Sequence, residues 1–223
     1  MEVKNVRQIV LDIESKPNPE LVEIFNEGIK APANIKDPVK IEAAIEKKKQ
    51  ASRKAMSVSP HFCEIVCIGV MELGRPETAA VPTLKEFGAF LDKILNRPKD
   101  HDRLTIHDPI ELIGYNSKSF DIPALINSFA RHPDFISSSS FHALRDCLKF
   151  KTEFNQIKHT DLMLEICGYK EFMSLDTMLR IYCGTEKETL GDEFFSTATD
   201  EELKKHCLED LTYTEQLYNK FYR

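Results

Sequence analysis

The chain has 223 residues, of which 42% are hydrophobic, and a formal net charge of −6. This length and apolar content suffice for one domain with a sizeable core, so we predict a single domain over residues 1–223. No apolar stretch approaches the roughly 20 residues of a membrane span, and the acidic balance argues against a tight binder of duplex nucleic acid.

The first predicted element is a strand over residues 7–14, where aliphatic residues lead into Asp12 and Glu14. Successive side chains on a strand point to opposite faces, so these two acids share one face near the end of the strand. Taken alone, the D-x-E pattern is also typical of the acidic end of an ordinary surface strand.

Residues 17–60 form an insertion between the first two predicted strands, and its part from Pro38 to Met56 is predicted to be a charged helix. The basic residues of this helix are Lys47, Lys48, Lys49, Arg53 and Lys54. Two interpretations stay open: an ordinary solvated helix face, or a flap that guides phosphate groups towards Asp12 and Glu14.

A second strand is predicted over residues 64–73 and a third over residues 78–81. Thr83 and Glu86 then form a capping box, which predicts a helix with apolar residues on one face up to Leu95.

A fourth strand is predicted over residues 110–116, followed by a short loop and a helix. Asn116, Phe120 and Asp121 lie in and after this loop, and Pro123 suits a first helical turn. A bland interpretation of Asp121 is that it caps the helix N-terminus.

Residues 157–163 are predicted to form a fifth strand and residues 174–182 a short helix. His159 and Asp161 either lie near a functional site or belong to an ordinary strand end. The serine run over residues 137–140 indicates a mobile tip.

The last predicted element is a long helix that begins with a capping box, Thr199 to Glu202. Its predicted core-facing stripe consists of Leu203, Cys207, Asp210, Thr214, Leu217 and Phe221. A carboxylate on such a stripe needs a partner, and His206 lies one turn before Asp210. The alternative is a His–Asp pair that merely stabilises one helix.

Asp12, Glu14, Asp121 and Asp210 are four carboxylates that one fold can bring together. Such a group repels itself strongly unless cations lie among its members, so the sequence predicts a divalent-metal site. Six scattered cysteines without a C-x-x-C pair are typical of reduced thiols, argue against zinc, and predict a cytoplasmic protein.

In this order, the motifs resemble those of the DEDD, or DnaQ-like, 3′–5′ exonucleases, and most closely the exonucleases related to the proofreading domain of family-B DNA polymerases. The matching patterns are Asp12-x-Glu14, Asn116-x-x-x-Phe120-Asp121 and His206-x-x-x-Asp210. The resemblance implies a ribonuclease-H-like α/β fold, a mixed five-stranded sheet flanked by helices, with the helical insertion between its first two strands.

The resemblance also implies two divalent cations, Mg²⁺ or Mn²⁺, and release of nucleoside monophosphates from a 3′ end of single-stranded DNA or RNA. Asp12 would bridge both ions, Glu14 and Asp210 would complete the site of the attacking water, and Asp121 would serve the second ion. Asn116 and Phe120 are the substrate-binding candidates. DNA is favoured over RNA, although no residue of the sequence reports on recognition of the 2′-hydroxyl.

His206 departs from the family pattern, which has a Tyr four residues before the last Asp or a His five residues before it. Here a His occupies the Tyr spacing, and we expect it to accept the water proton or to orient the water. The alternative functions are an RNA-processing nuclease of the same fold and a non-catalytic nucleic-acid-binding module. A module of the second kind would lack a carboxylate, and none is missing.

Overall fold

A computed structural model describes residues 6–34, 36–95, 110–149, 156–168, 171–187 and 197–223. Its strands are β1 (Arg7–Pro17), β2 (Cys63–Glu72), β3 (Ile110–Gly114) and β4 (Ile157–Asp161). Its helices are α1 (Val22–Asn26), α2 (Pro38–Ser57), α3 (Leu84–Leu95), α4 (Asp121–Arg131), α5 (Ser138–Asp146), α6 (Leu162–Cys167), α7 (Leu175–Tyr182) and α8 (Asp200–Tyr222). The predicted helices are confirmed as α2, α3, α4, α7 and α8.

The strands form one mixed sheet in the order β2-β1-β3-β4, in which β1 is antiparallel to β2 and parallel to β3, and β3 is parallel to β4. Within the described ranges the sheet has four strands, so the prediction of five is wrong. The missing one is the segment 78–81, of which only Ala80 pairs with Val70 of β2.

The reason lies in the local chemistry of that segment. Thr78 ends a 3₁₀ turn, and its hydroxyl accepts the backbone N–H of Glu72 at 2.9 Å, which a neighbouring strand would otherwise take. Pro76 and Pro82 flank the segment and have no N–H to offer a ladder. One bridge is what remains.

The sheet separates two apolar cores. Ile9, Leu11 and Ile13 of β1 point to the side covered by α3, α4 and α5. Val10 points to the other side, where the core residues come from α6, α7 and α8. Asp12 and Glu14 lie two and four residues after Val10, so their side chains are on the same face of β1 and face α8.

The insertion between β1 and β2 is tied to β1 at the end of α2. Met56 is fully buried, and the hydroxyl of Ser15 donates to the carbonyl of Ser57 at 2.7 Å. Lys47, Lys48, Lys49 and Lys54 lie on exposed positions of α2, and the side chain of Arg53 lies outside the described residues.

The serine run does not form a mobile tip. Ser137 is the N-cap of α5 and its side chain accepts the N–H of Ser140. Asp92 of α3 accepts the backbone N–H of Ser137 at 3.0 Å, which anchors this helix start to the neighbouring helix. None of the helices in the described ranges has the length and apolar character needed to cross a membrane.

Candidate metal centre

Strand β1 carries two of the predicted acids beyond the point where β3 stops pairing with it. The parallel register with β3 ends at Val10 opposite Ile113, while the antiparallel register with β2 continues through Asp12 and Glu14. A bulge follows between Glu14 and Ser15. The loop that leaves β3 therefore begins beside Asp12, as expected for the carboxyl ends of parallel strands.

Helix α8 supplies the other candidates from the far end of the chain. Its start is fixed by the predicted capping box, in which Glu202 N–H donates to the Thr199 hydroxyl and the Glu202 carboxylate accepts from Thr199 N. His206 and Asp210 are buried on the face turned to the sheet. The predicted stripe is confirmed except at Phe221, which is exposed and packs edge-on against Tyr182.

A close approach between α8 and β2 brings these side chains to β1. A Cβ added to Gly69 would lie 2.8 Å from Cys207 Sγ and 3.3 Å from Leu211. Gly69 is the register partner of Asp12, and Cys207 Sγ lies 3.6 Å from the Asp12 carbonyl oxygen. The helix thus contacts the sheet directly at the level of the acidic pair.

Glu14, His206 and Asp210 come together at this contact. His206 Nε2 lies 3.6 Å from Glu14 Oε1, and His206 Nδ1 lies 3.8 Å from Asp210 Oδ1. One ligand atom from each of the three residues lies within 4.8 Å of the others. Asp12 and Asp121 lie outside that group. Their proximity to it is seen in their pKa values, because the charge of Asp210 acts on Asp12 and the charge of Asp12 acts on Asp121.

The pKa values of three acids rise. Burial raises the pKa of Asp12 to about 7, helped by the charge of Asp210. Burial raises the pKa of Glu14 to about 10, with a further contribution from Asp12. Burial and the charge of Asp12 hold the pKa of Asp121 well above its usual range. Without a cation, these carboxyls are crowded enough to favour their protonated forms.

Lys187 is a member of the cluster that sequence reasoning missed. Its Nζ lies 2.5 Å from Asp210 Oδ2, both side chains are largely buried, and its charge lowers the pKa of Asp12 and of Glu14. Lys187 follows α7 and belongs to no periodic pattern or motif, so the sequence holds no signal for its position.

The acid of the second motif is not a helix cap. Helix α4 begins at Asp121 itself, and its N-cap is Phe120, whose side chain makes no capping hydrogen bond. Asp121 is buried, whereas Asn116 and Phe120 are half-buried in the loop before it. The hydrogen bonds described for this loop do not connect Asn116 or Phe120 to the carboxylates of β1 and α8.

His159 and Asp161 lie next to that loop. His159 Nε2 and Ser117 Oγ are 2.8 Å apart and buried, and the Asp161 carboxylate accepts backbone N–H groups of Asn116 and Lys118. Both residues therefore lie beside the loop that leads to Asp121, which His159 contacts through the side chain of Ser117 and Asp161 through backbone N–H groups.

The donor set fits a divalent cation. Asp12 Oδ2 and Asp210 Oδ1 are buried and accept no hydrogen bond from the described part of the chain. A buried carboxylate oxygen without a donor is costly, and a cation would remove that cost. Carboxylate oxygens are the ligands that Mg²⁺ and Mn²⁺ prefer, and an imidazole nitrogen is compatible with Mn²⁺.

No protein-family model matches the chain, and no curated protein matches it. Among solved structures, it is similar to the family B DNA polymerase from the hyperthermophilic archaeon Pyrobaculum calidifontis, with a TM-score of 0.51 and 14% sequence identity. The match covers 97% of this chain and 24% of the polymerase, so the chain spans about a quarter of that protein's length. At this identity, the likeness shows an α/β fold shared with part of the polymerase.

Proposed function

We propose that this chain is a metal-dependent 3′–5′ exonuclease with a ribonuclease-H-like fold, acting on single-stranded nucleic acid with DNA favoured over RNA. The observation that carries the proposal is the meeting of Glu14, His206 and Asp210 within 4.8 Å. The three residues come from opposite ends of the chain, and Asp12 beside them has a buried oxygen with no hydrogen-bond partner in the described ranges.

Two independent likenesses support this choice among metal-dependent functions. The three ordered motifs resemble those of exonucleases related to the proofreading domain of family-B DNA polymerases. The fold is similar to that of a family B DNA polymerase. The motif resemblance rests on side-chain chemistry and the fold similarity on backbone geometry. Both favour a function that involves nucleic acid.

The residues divide into three tasks. Asp12, Glu14, Asp121 and Asp210 would hold two divalent cations, which supply positive charge to the attacking and leaving oxygens of a phosphodiester. His206, buried between Glu14 and Asp210, would accept the proton of the attacking water. Asn116 and Phe120 would contact the terminal nucleotide, and Lys187 would keep Asp210 in place.

The two alternative functions, an RNA-processing nuclease and a non-catalytic binding module, each differ from the proposed exonuclease in one feature. An RNA-processing nuclease would use the same carboxylates and differ in its contacts to the 2′-hydroxyl. A non-catalytic binding module has no use for a cluster of buried acids, since carboxylates that are ionised without a cation repel the phosphates of a nucleic acid.

The test is digestion of 5′-labelled single-stranded DNA and RNA of the same sequence with Mg²⁺ or Mn²⁺. We expect a ladder that shortens from the 3′ end, faster on DNA, and abolished by a chelator. Internal cuts would indicate an endonuclease, and binding without cleavage would indicate the binding module.

A pair of variants separates the site from a contaminating nuclease. Asp12→Ala should abolish the ladder, whereas Asp134→Ala, a change at an exposed acid after α4, should leave it intact. Equal activity of both variants would contradict the assignment of the site.

A further inference from the structure

Asp161 is a buried carboxylate, 3% exposed, at the last residue of β4. Its Oδ1 accepts the backbone N–H of Asn116 at 3.1 Å and that of Leu164 at 3.3 Å. Its Oδ2 accepts the backbone N–H of Lys118 at 2.8 Å. Both oxygens are therefore occupied by backbone donors, whereas Asp12 and Asp210 of the metal centre each have one buried oxygen without a hydrogen-bond donor among the described residues.

The loop that Asp161 binds has an unusual backbone. Asn116 has φ of +57°, in the left-handed region that Asn tolerates better than most residues with a Cβ and that is typical of tight turns. Gly114 precedes it, and a Cβ there would lie 2.5 Å from Ser117, so the loop folds back tightly on the strand end. His159 fixes the same turn through Ser117 Oγ at 2.8 Å.

This loop leads directly into the second motif. Phe120 N donates to the Asn116 carbonyl at 3.2 Å, and Ile122 N donates to the Ser117 carbonyl at 2.9 Å. The backbone conformation at Asn116 and Ser117 therefore determines where Phe120 lies and where α4 begins with Asp121. An element that fixes this conformation also fixes the position of a candidate cation ligand and of both substrate-binding candidates.

We propose that Asp161 is a positioning residue of the exonuclease reaction, which holds the Asn116–Asp121 loop in the conformation that places the terminal nucleotide. The inference rests on the proposed function. Asp161 does not touch the cations in this role, because its oxygens are already committed to Asn116, Lys118 and Leu164.

The decisive variant is Asp161→Asn. The new amide retains one acceptor oxygen but turns an N–H₂ group towards a backbone N–H, so at least one anchor of the loop is replaced by a repulsive contact. Misplacing a substrate-positioning group by about 1 Å can lower the rate by roughly 100-fold, and loss of a supporting hydrogen bond near a metal site by about 10–100-fold. We expect kcat/KM on single-stranded DNA to fall by about that factor, while Mn²⁺ still binds in calorimetry.

Asp92→Asn is the matched control. Asp92 also accepts a backbone N–H, that of Ser137 at 3.0 Å, and so anchors the start of α5. It lies on α3, which covers the face of the sheet opposite to Asp12 and Glu14. Asp92→Asn should lower the melting temperature but leave kcat/KM unchanged at temperatures where the protein is folded.

Ser117→Ala provides a second variant if Asp161→Asn does not fold. It removes only the hydroxyl that pairs with His159, and we expect a smaller loss of kcat/KM, below about 10-fold, with Mn²⁺ binding intact. Wild-type kcat/KM in a folded Asp161→Asn protein would overturn the positioning role while leaving the exonuclease proposal in place. Absence of hydrolysis by the wild-type protein would instead overturn the proposed function.

Discussion

The sulfur of Cys207 on α8 occupies the space that a side chain on Gly69 of β2 would need. A Cβ on Gly69 of β2 would lie 2.8 Å from Cys207 Sγ of α8, closer than two such atoms can stand. Because Cys207 is flanked by His206 and Gly69 pairs with Asp12, this contact sets the distance between the two halves of the candidate metal centre.

Gly69→Ala should therefore move α8 away from the acids of β1. We expect a loss of stability of about 1–3 kcal/mol from overpacking, and a loss of metal-dependent hydrolysis larger than that loss of stability explains. Thermal unfolding measures the loss of stability. Hydrolysis at a temperature where the variant is folded, together with Mn²⁺ affinity by calorimetry, measures the loss at the metal centre. Gly28→Ala is the control, because a Cβ there meets nothing within 4 Å.

The raised pKa of Asp12 predicts how the cation-free protein responds to pH. An Asp carboxyl has a pKa near 3.9 in an unfolded chain. In the folded protein, the pKa of Asp12 is about 7, so the folded state retains a proton that the unfolded state releases. This contribution to stability is complete below about pH 4 and is lost as pH rises through about 7. In the presence of chelator, the free energy of unfolding should be lower at pH 8 than at pH 5, and Mg²⁺ should reverse this decrease.

Asp12→Ala should abolish hydrolysis while making the cation-free protein more stable at pH 8. We expect a gain of at least about 1.4 kcal/mol, the equivalent of one pKa unit, because a crowded charge has been removed. Asp210→Ala should also abolish hydrolysis but lower stability, since it leaves the buried ammonium of Lys187 without its carboxylate. A loss of the fold in Asp12→Ala would indicate a structural acid and contradict the metal centre.

Lys187 should control the pH at which the site accepts a cation. Its charge lowers the pKa of Asp12 and of Glu14, so Lys187→Met should raise both. Deprotonation then needs a higher pH, and the acid limb of the Mn²⁺-dependent rate should shift upwards. Lys187→Arg keeps the charge and should leave the limb near its original position. An unchanged limb in Lys187→Met would mean that the ammonium does not act on these carboxyls.

The lysines of α2 provide a test of the phosphate-guiding interpretation of the insertion. Lys40, Lys47 and Lys54 are seven residues apart and form one stripe on the face opposite to the buried Met56. Neutralising all three to Gln should weaken binding of long single strands and reduce the slope of log K against log salt by about 2. Turnover of a dinucleotide should not change.

The comparison for this triple variant is the neutralisation of Lys85, Lys93 and Lys220, which are exposed on α3 and α8. Both proteins lose the same net charge, so a purely global effect would alter them equally. An equal salt dependence in the two would assign α2 to the solvated-face interpretation.

Local chemistry made much of this fold predictable. Capping boxes at Thr83 and Thr199 fixed two helix starts, and aliphatic runs fixed four strands. The third predicted strand failed because a side-chain hydroxyl, that of Thr78, took the N–H that a strand would have used. Propensity and periodicity do not describe this kind of competition.

The metal centre was predictable only in part for a related reason. The acids at the end of β1 and on the buried face of α8 can be predicted from their spacing in the sequence. Lys187 lies there through the path of the chain after α7, and Gly69 matters through a close approach between two elements. Such relationships depend on tertiary packing, which no short sequence window contains.

His206 is the residue that most directly tests the proposed chemistry. Its ring lies between Glu14 and Asp210, at 3.6 and 3.8 Å, so it is placed either to accept the proton of a water held there or to bind a cation. If His206 is the proton acceptor, His206→Ala should lower the rate by about 10²–10⁴-fold with Mn²⁺ affinity largely intact. The acid limb of the pH–rate profile that is attributed to the imidazole should then shift or vanish. His206→Tyr should retain appreciable activity, because a phenol at this spacing can orient the water without losing its proton. Inactivity of both variants with Mn²⁺ affinity intact would establish a true histidine base. A parallel loss of Mn²⁺ affinity in His206→Ala would make His206 a ligand, and near-wild-type activity would remove it from the mechanism.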